Sequence, residues 1–530
     1  EVLKDVTYEV EKEIKGKDLV NLEYEPLFDY YAKDKNLENR ENGWKVYVAD
    51  FVTAEEGTGI AHEAPAFGED DMNLAKLINL PFIQHVNMDG TFKPEVTDFA
   101  GMHVKPIEDT QTTDVEIIKY LAHKNLLFSK EKYEHSYPHC WRCDTPLLNY
   151  AMSSWFVKVE GVKKDALKLA TKINWTPKHI KEGRFGQWLE GARDWSISRQ
   201  RFWASVIPIW KCDKCQEPIV LGSVAELEKL SGKKITDLHK HIVDKITFKC
   251  EKCGGTMKRV PDVLDTWFDS GSMPYAQMHY PFANKEKFEQ NFPAEFIAEG
   301  VDQTRAWFYY LHIIATAIKK KPAFKHVIVN GIVLAADGKK MSKRLQNYPD
   351  PMEVLEKYGA DPLRYYLCAS PVMKAESINF SEKDLAEQTR FFNTLLNVLS
   401  FYKMFAEDEK IENLADKDLV NVLDKWITAR LEETKKIITE KMDSYDLHAI
   451  REIPIFINDL STWYVRRSRE RFKGDDEVDK LRALKTLRRV LYHLARVMAP
   501  FLPFTAEHIY QELGADVESV HLKPWAEVRE

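Results

Sequence analysis

The chain has 530 residues, of which 44% are hydrophobic and 30% are charged, and its formal net charge is −7 at pH 7. This length predicts three or four domains, and the composition is typical of a soluble globular protein. No apolar run approaches the ~18 residues of a membrane-spanning helix, so we expect no membrane partner and a cytoplasmic location. The net charge gives no support to wholesale nucleic-acid binding, which must therefore come from local basic patches.

The first 150 residues mix short strand-like runs, such as "GWKVYVADFV" at 43–52, with turns rich in Gly and Pro. They include the glycine-rich stretch "GTGIAHEAPAFGEDD" at 57–71, whose glycines let the backbone approach another group closely. His62 and Asp71 are polar groups that such a loop would hold at a pocket. An ordinary structural turn explains the glycines equally well.

The cysteine spacing predicts a metal site in the segment of about 211–260. Cys212 and Cys215 form one C-x-x-C pair, and Cys250 and Cys253 form another. Four thiolates in this pattern suit structural Zn²⁺. Zinc binding contributes about 10–16 kcal/mol in small domains, enough to fold an insert without its own core. The alternative is two free pairs with a purely structural role.

A third pair, Cys140 and Cys143, has no second pair to complete a site within this chain. His135 and His139 lie nearby, but this combination is a poor match to known zinc spacing. We expect a second zinc here only if further cysteines lie upstream.

Residues 293–334 follow the pattern strand, helix, strand. "EFIAEG" and "HVIVNGIVLA" are the apolar strands, and "DQTRAWFYYLHIIATAI" is the helix between them. The spacing predicts that Trp307, Leu311, Ile314 and Ile318 share one buried face. This order predicts a βαβ unit and therefore a parallel sheet.

Three polar residues lie where the first of these strands ends and the helix begins: Glu299, Asp302 and Gln303. Ligands of open α/β sheets bind at this position, at the carboxyl ends of the strands. Carboxylate and amide groups suit a ligand with ammonium and hydroxyl groups, such as an amino acid and a ribose. Helix capping by Asp302 is the alternative, and the two roles are compatible.

Helix signals dominate the rest of the chain. In "DPMEVLEKYGADPLRYYL", Asp350 is the predicted cap, Pro351 and Glu353 lie in the first turn, and Gly359 follows the last. Asp361 and the proline after it repeat this start signal. Residues from about 385 to 512 have an almost continuous helical period, which predicts a helix bundle.

Two clusters of basic residues occur in this chain of net negative charge. "ADGKKMSKRLQN" (336–347) places Lys340 and Lys343 behind an Asp-Gly turn. "RRSRERFK" (466–473) has five basic residues to one acidic and would give a helix a cationic face for phosphates. Its arginines are Arg466, Arg467, Arg469 and Arg471. In both cases a solvated surface remains the alternative.

Together these stretches resemble isoleucyl-tRNA synthetases, a branch of the class I aminoacyl-tRNA synthetases. The resemblance rests on stretches that occur in family order from end to end: "GTGIAHEAPAFGEDD", "HSYPHCWRCDTP", "DWSISRQRFW", "LDTWFDSGS", "EGVDQTRAWF", "KMSKRLQNYPDP", "NDLSTWYVRRSRERF" and "MAPFLPFTAEHIY".

The resemblance implies a multidomain α/β plus α fold. Its parts would be a β-rich remnant of an editing domain at 1–150, the second half of a Rossmann-like catalytic domain with its zinc insert at 151–330, a KMSKR loop and stem-contact region at 331–400, and an α-helical anticodon-binding bundle at 401–530.

The implied activity is the activation of isoleucine by ATP with Mg²⁺, followed by its transfer to tRNA-Ile. In the family's KMSKR loop, Lys343 and Ser342 would contact ATP. Lys340 would neutralise charge as the α-phosphate is attacked, and Gly331 would lie against the adenine. No side chain acts as a nucleophile, so that catalysis is positioning and charge stabilisation.

The resemblance also assigns residues to the aminoacyl-adenylate. Glu299 and Gly300 would contact it directly. Asp302 and Gln303 would neighbour the ribose and the amino acid, and Trp307 would form part of the wall of the apolar pocket.

A second, hydrolytic site is implied for the removal of valine from tRNA. One methylene is worth only about 1–3 kcal/mol in a binding pocket, as this enzyme class exemplifies, so binding alone discriminates too little. By resemblance, Asp71 holds the α-ammonium group of the misacylated residue, and His62 helps to place the tRNA terminus or water.

Several family features are altered or missing. Ala204, Ser205 and Val206 stand where the family usually has Gly-Thr-Pro, and Ala306 stands where it usually has Gly. No His-x-Gly-His occurs, and the chain begins without Met. We therefore expect a fragment whose missing N-terminal half carries the HIGH motif and which alone is inactive in adenylation. The alternatives are a valyl or leucyl relative, or a non-catalytic tRNA-binding derivative.

Overall fold

The computed structural model describes residues 7–53, 58–132, 134–140, 143–343, 345–406, 419–514 and 516–528. They form two compact units, Glu1–Ser153 and Ser154–Glu530. Four residues of the predicted motifs lie outside the described residues: Gly57, Trp141, Arg142 and Arg344. Among the described helices, none has the length and apolar character needed to cross a membrane.

The described part of the first unit has two α-helices, two short 3₁₀ helices and irregular chain. The α-helices are α1 (Glu69–Ile78) and α2 (Thr112–His123). A small core lies beside them and is formed by Val86, Phe92, Val96 and Phe99.

The prediction of a β-rich first domain is wrong for the described residues, which pair only at isolated bridges between 7 and 153. Residues 43–52, expected to form a strand, exchange a few backbone hydrogen bonds with 21–24 and then leave the pairing. A stable strand needs more backbone hydrogen bonds to a neighbouring strand than this, to offset the entropy lost when its backbone is ordered. Residues 21–24 do not supply enough of them.

The second unit begins with α/β structure. Its strands are β1 (Phe156–Val157), β2 (Asn174–Thr176), β3 (Trp195–Ser196), β4 (Ser198–Arg199), β5 (Ile209–Cys212), β6 (Pro218–Val220), β7 (Phe248–Lys249), β8 (Thr256–Arg259), β9 (Val263–Leu264), β10 (Ala294–Gly300), β11 (Phe324–Asn330), β12 (Val333–Leu334) and β13 (Ile378–Asn379).

Its helices are α3 (Lys163–Ala170), α4 (Gln187–Glu190), α5 (Val224–Ser231), α6 (Lys240–Val243), α7 (Thr266–Gly271), α8 (Met273–Ala276), α9 (Lys285–Asn291), α10 (Trp307–Lys319), α11 (Pro351–Tyr358), α12 (Ala360–Ala369), α13 (Glu382–Gln388), α14 (Phe391–Phe405), α15 (Val422–Asp443), α16 (Glu452–Asn458), α17 (Arg469–Lys473), α18 (Glu477–Met498) and α19 (Pro503–Glu512).

The predicted βαβ unit is confirmed. Strands β10 and β11 run parallel, with Ala294 opposite Phe324 and Gly300 opposite Asn330, and α10 connects them. β2 adds to the other side of β11, also parallel. The prediction for Ile318 is wrong: 58% of it is exposed, because it lies in the last turn of α10, beyond the continuously buried part of the helix.

The cysteine-rich insert is a four-stranded antiparallel sheet in the order β6-β5-β8-β7. It has a small core of its own, which includes Trp210, Leu227, Val243 and Met257. The expectation of an insert without a core is therefore wrong, since α5, α6 and the sheet bury these side chains against one another.

The helix signals after residue 350 are mostly confirmed. The Asp350 carboxylate accepts a hydrogen bond from the Met352 N–H at 2.8 Å, and Gly359, whose φ is +89°, follows the last residue of α11. The second start signal is different. α12 begins at Ala360, so Asp361 lies inside its first turn and is buried.

The remaining helices form a bundle around one large apolar core, as predicted. α12 and α14 contribute Tyr365, Phe392 and Leu399 to the same core as α15 and α18. The domain boundary that the resemblance implied at residue 400 falls inside α14.

Candidate functional site at the carboxyl edge of the parallel sheet

The polar residues predicted at the sheet edge lie there in the structure. Glu299 and Gly300 end β10 opposite Val329 and Asn330 of β11. Asp302 and Gln303 follow in a single 3₁₀ turn, Val301–Arg305, before α10 begins. A carboxylate, a second carboxylate and an amide therefore meet at one edge of the sheet.

Gln303 organises this edge. Its Nε2 donates to Asp302 Oδ2 at 2.8 Å, and its Oε1 accepts from the Trp307 N–H at 3.1 Å. The alternative that Asp302 caps α10 is therefore wrong, because Gln303 accepts from the first N–H of that helix. This arrangement leaves Asp302 exposed and Gln303 half-buried at the edge.

Two glycines of the edge have identifiable steric roles. A Cβ on Gly300 would lie 2.6 Å from Asp302 Oδ1, so glycine makes room for that carboxylate. A Cβ on Gly331 would lie 1.8 Å from the Glu376 carbonyl oxygen, and the Gly331 N–H donates to the Val372 carbonyl at 2.7 Å. The contacts with Val372 and Glu376 are therefore sufficient to require glycine at position 331.

The indole of Trp307 is fixed against α7, since its Nε1 donates to the Ser270 carbonyl at 3.1 Å. The neighbouring Trp267 stacks on Tyr310, with ring centroids 5.5 Å apart and an interplanar angle of 17°. α10 and α7 thus present half-buried aromatic rings close to the polar edge. Such surroundings favour an apolar ligand group over a charged one.

The lysine-rich loop follows directly after this edge. β12 pairs with β13, and Lys340 lies opposite Leu334 across a tight turn in which Gly338 has a φ of +79°. Asn347 holds the far side: its Oδ1 accepts from the Ser342 N–H at 3.0 Å, and its Nδ2 donates to the Lys340 carbonyl at 3.2 Å.

Both predicted lysines of this loop are exposed. Lys340 and Lys343 have no carboxylate partner within the described part of the chain, whereas Lys339 is paired with Asp337 at 3.7 Å. Two uncompensated ammonium groups three residues apart can bind an anion such as a polyphosphate.

The four insert cysteines converge. Sγ of Cys212 lies 3.4 Å from that of Cys253, Sγ of Cys215 lies 3.7 Å from that of Cys250, and all four lie within 4.8 Å of one another. None forms a disulfide. A zinc tetrahedron with Zn–S bonds of about 2.3 Å has S–S edges of roughly 3.8 Å, so these sulfur positions fit one Zn²⁺.

The electrostatics of the cluster favour a cation. Hydrogen bonds from the backbone N–H groups of Cys215 and Lys214 lower the pKa of Cys212 to about 6. The Glu217 N–H also favours the Cys215 thiolate, but the adjacent Cys253 sulfur, burial and the Cys212 sulfur together outweigh it and raise the pKa of Cys215. A bound divalent cation would remove this repulsion.

Cys140 and Cys143 are free, and they belong to no metal-sized group of three or more ligands among the described residues. The exposed Cys143 contacts Thr145 Oγ1 at 3.1 Å. The Nδ1 atoms of His135 and His139 are hydrogen-bonded to the backbone carbonyls of Ser136 and Tyr137. A second zinc at Cys140 and Cys143 therefore stays a prediction that requires further cysteines upstream.

In the first unit, the glycine-rich stretch folds around Asp71. Its Oδ2 accepts from the Ala64 N–H at 2.8 Å, and a Cβ on Gly68 would lie 2.6 Å from the Asp71 carboxyl carbon. Glu63, which sequence reasoning missed, faces Asp71: burial, and then the Asp71 charge, raise its pKa. His62 is exposed beside them.

The predicted arginines separate into two groups. Arg466, Arg467 and Arg469 are exposed. Arg471 instead makes paired hydrogen bonds to the fully buried Asp424 and to Asp479, at 2.8–2.9 Å. Its guanidinium is already used inside the bundle.

Comparison with known families decides which proteins this chain resembles. The family model of class I tRNA synthetases (I, L, M and V) matches residues 6–379. The chain belongs to this family. A second model, the anticodon-binding domain of tRNA ligase, matches residues 424–530. The α/β plus helical-bundle prediction is thereby confirmed for a class I synthetase with an anticodon-binding domain.

The curated relatives of this class I synthetase chain include two bacterial isoleucine–tRNA ligases. That of Treponema denticola is 48% identical over 97% of this chain and 49% of its own length, and that of Chlamydia trachomatis serovar D has the same three values. The chain thus spans about half the length of these relatives. A solved methionyl-tRNA synthetase of Mycobacterium tuberculosis, 17% identical with a TM-score of 0.51, covers 72% of this chain and 66% of its own, and shares the fold.

Sequence reasoning about this synthetase chain missed Glu63, Asn347 and Trp267. Trp267 lies in the quoted motif "LDTWFDSGS", and Glu63 follows His62 directly, so proximity to a motif was a usable signal for both. Asn347 lies seven residues after the lysine whose carbonyl it binds. Only the closed loop shows that it acts as a brace.

Proposed function

We propose that the chain is part of an isoleucine–tRNA ligase, which activates isoleucine with ATP and transfers it to tRNA-Ile. The observation that carries this proposal is the 45–48% identity to isoleucine–tRNA ligases over 96–97% of the chain. The range matched by the class I family model includes both the polar sheet edge and the lysine loop.

In adenylate formation, the carboxylate of isoleucine attacks the α-phosphate of ATP, and pyrophosphate leaves. We assign Lys340 and Lys343, with Ser342, to the phosphates, where Mg²⁺ accompanying ATP would share the charge. The exposure of both ammonium groups and the brace from Asn347 support this role. Preorganised cations stabilise charge that develops in the transition state.

The polar edge would bind the aminoacyl-adenylate. We assign Glu299 and Gly300 to direct contact, Asp302 and Gln303 to the ribose and amino group, and Trp307 to the pocket wall. The hydrogen bonds of Gln303 orient Asp302, so these groups are held before the ligand arrives. Gly331 would face adenine only through its backbone, since its Cβ direction is filled by Glu376.

We also propose that residues 1–150 belong to a hydrolytic editing site for Val-tRNA. Asp71 would bind the α-ammonium group through its carboxylate, which the Ala64 N–H orients. His62 would place the tRNA terminus or water. The adjacent Glu63 adds a second acidic group of raised pKa, and a cationic ligand would relieve its repulsion with Asp71.

The insert would hold one structural Zn²⁺ through Cys212, Cys215, Cys250 and Cys253. Their convergence supports this, and the ion would join two hairpin turns of the insert sheet. Arg466, Arg467 and Arg469 would bind tRNA phosphates, whereas we no longer assign Arg471 to them.

A partner segment is proposed for β10. Within the described residues, β10 is hydrogen-bonded on the β11 side only, and Phe296 on it is 54% exposed. Both faces of a parallel sheet are normally covered, so an exposed Phe296 indicates a missing neighbour. The free N–H and C=O groups along the edge of β10 can also pair with another strand. The N-terminal half of the complete ligase, with its HIGH motif, would supply that strand.

The deciding experiment is ATP–pyrophosphate exchange with isoleucine, valine and leucine. It compares residues 1–530 alone with the same chain joined to the N-terminal half of the Treponema denticola ligase. We expect exchange only in the joined protein, with isoleucine preferred. Preference for valine or leucine would indicate another branch of the family. No exchange in the joined protein would favour a non-catalytic derivative, and exchange by the chain alone would refute the need for a partner.

A further inference from the structure

The helix α15 ends in a turn that glycine normally forms. The N–H of Asp446 donates to the Lys441 carbonyl at 2.8 Å, and the N–H of Tyr445 donates to the Met442 carbonyl at 2.9 Å. This pair of hydrogen bonds is the Schellman arrangement, which needs a left-handed backbone at the position of Tyr445. Tyr445 has a φ of +60°, which strains the backbone of a bulky residue. An aromatic residue at this position therefore needs a compensating contact elsewhere.

The ring of Tyr445 makes such a contact with the parallel sheet. It stacks on the imidazole of His326 in β11, with ring centroids 4.6 Å apart and an interplanar angle of 23°. The ring of Phe296 in β10 lies 6.1 Å from it, and Phe296 is directly opposite His326 in the sheet. Among the described residues, Tyr445 makes both of the ring contacts between the helical bundle and this sheet. The strained residue thus joins two parts of the second unit.

The imidazole of His326 is held in place beneath this ring. Its Nδ1 lies 3.2 Å from Nδ2 of Asn174 on β2, and its Nε2 lies 3.8 Å from Oε1 of Glu295 on β10. Partners on the strands at both sides of β11 therefore fix the orientation of the imidazole and leave its face for Tyr445. A stack of two oriented rings is a directional contact, so it sets an angle as well as a distance.

The turn after Tyr445 also reaches the other end of β11. His448 is buried, and its Nε2 donates to the Ser370 carbonyl at 2.9 Å. The Oγ of Ser370 accepts from the Val372 N–H, and the Val372 carbonyl accepts from the N–H of Gly331, which follows β11 directly. The segment from Tyr445 to His448 thus contacts the start of β11 through a ring and its end through a short chain of hydrogen bonds.

We propose that Tyr445 is a positioning residue, which sets the orientation of the bundle relative to the parallel sheet and so that of a bound tRNA relative to the polar edge. This inference rests on the proposed function, because it takes tRNA as the ligand of the bundle. Phe296 lies four residues before Gly300, which is roughly 13 Å along a strand, so Tyr445 is remote from the proposed adenylate contacts. Its ring should therefore matter for the transfer of isoleucine to tRNA and not for adenylate formation.

The contact itself can be tested without activity. In residues 1–530, photoreactive p-benzoylphenylalanine introduced at position 445 should, on irradiation, form a cross-link to the sheet peptides that contain Phe296 or His326. The same group at position 436, which is exposed on α15, should form no cross-link to these peptides. Peptide mapping by mass spectrometry identifies the products. Cross-links from position 445 that stay within the bundle would overturn the contact and the proposal.

The positioning role is tested in the joined protein with two assays, ATP–pyrophosphate exchange without tRNA and aminoacylation of tRNA-Ile. Tyr445→Gly keeps the turn, relieves the backbone strain and removes the ring. It should lower kcat/KM for tRNA-Ile roughly 2- to 30-fold, as changes between coupled sites do, and leave exchange and the circular dichroism spectrum unchanged. Tyr445→Phe retains the ring and should retain both activities.

A double-mutant cycle tests whether Tyr445 acts through His326. His326→Ala should have an effect of similar size, and the double variant should be no worse than either single variant, because each removes the same contact. Lys320→Gly is the matched control. Lys320 is the exposed left-handed residue at the end of α10, with a φ of +53°, and its replacement should change neither assay.

The outcomes distinguish this inference from the proposed function. A wild-type value of kcat/KM for tRNA-Ile in Tyr445→Gly would overturn the positioning role and leave the proposed function intact. A parallel loss of exchange and aminoacylation would also overturn that role, because Tyr445 would then support the sheet itself. A wild-type joined protein that does not aminoacylate tRNA-Ile would overturn the proposed function, and the positioning role with it, even where the cross-link confirms the contact.

Discussion

The carboxylate of Asp361 accepts a hydrogen bond from the backbone N–H of Thr505, which lies 144 residues further along the chain. Thr505 is the third residue of α19, where backbone N–H groups have no partner within the helix. Asp361, only 2% exposed, is therefore a buried cap for a helix other than its own. The contact connects the segment after the lysine loop to the last helix of the bundle.

Replacing Asp361 with Ala should lower the free energy of unfolding of the second unit by about 1–3 kcal/mol. The variant loses a charge-assisted hydrogen bond and leaves the N–H of the half-buried Thr505 without its acceptor. Asp361→Asn keeps an acceptor oxygen and should lose less. Urea denaturation followed by far-ultraviolet circular dichroism measures the difference, and equal stability of Asp361→Ala and wild type would show that the contact is not a cap.

The zinc proposal predicts one Zn²⁺ per purified chain by elemental analysis. Cys215→Ser should lose the metal and destabilise the insert, because three thiolates hold zinc less tightly than four. Cys368→Ser changes a cysteine outside the cluster and should retain one equivalent. A metal-free wild type, or full zinc occupancy in Cys215→Ser, would contradict the proposed site.

Asp71→Ala in the joined enzyme should leave isoleucine activation nearly unchanged and let Val-tRNA accumulate. The motivation is a carboxylate that Gly68 and the Ala64 N–H hold in place in the glycine-rich stretch. Asp70→Ala, at the exposed adjacent position, is the control. Hydrolysis of Val-tRNA at the wild-type rate in Asp71→Ala would remove Asp71 from editing.

Glu63 predicts a pH effect in the first unit. Burial, and then Asp71, raise its pKa above the usual value, so its protonated form is favoured in the folded state. The associated stabilisation is complete below the unfolded pKa and is lost as pH rises through the folded pKa. Glu63→Gln should therefore be more stable than wild type at pH 7 and similar to it at pH 4. Parallel stability–pH curves for the two proteins would contradict this.

Lys343→Ala in the joined enzyme should slow adenylate formation roughly 100- to 1000-fold, with isoleucine binding little changed. It removes a preorganised cation that would act mainly in the transition state. Lys339→Ala is the matched control, since its ammonium already faces Asp337 and its loss should have a small effect. Similar rates for the two variants in ATP–pyrophosphate exchange would assign no special role to Lys343.

The sequence predicted the βαβ unit, the bundle and the converging cysteines because each depends on local spacing. Hydrophobic period, helix start signals and C-x-x-C pairs are set by residues close in the chain. The same local reasoning failed for the first unit, where residues 43–52 have the composition of a strand but only a short described partner. It also failed for Ile318, whose helical position alone did not show where the burial of α10 ends.

What the sequence by itself determined is the membership of the family and the identity of the groups that carry chemistry: lysines on a turn, carboxylates at a strand end and paired thiols. Only the tertiary structure decided which of these groups are available. Arg471 and Arg467 look alike in "RRSRERFK", yet buried Asp424 takes the first and Trp463 stacks with the second. Asp361 resembles a local cap but serves α19, and Gly331 is required by Glu376. These pairs of residues, except Trp463 and Arg467, are distant in sequence. They meet because the whole unit packs and its buried polar groups need partners, and a local sequence pattern does not show this.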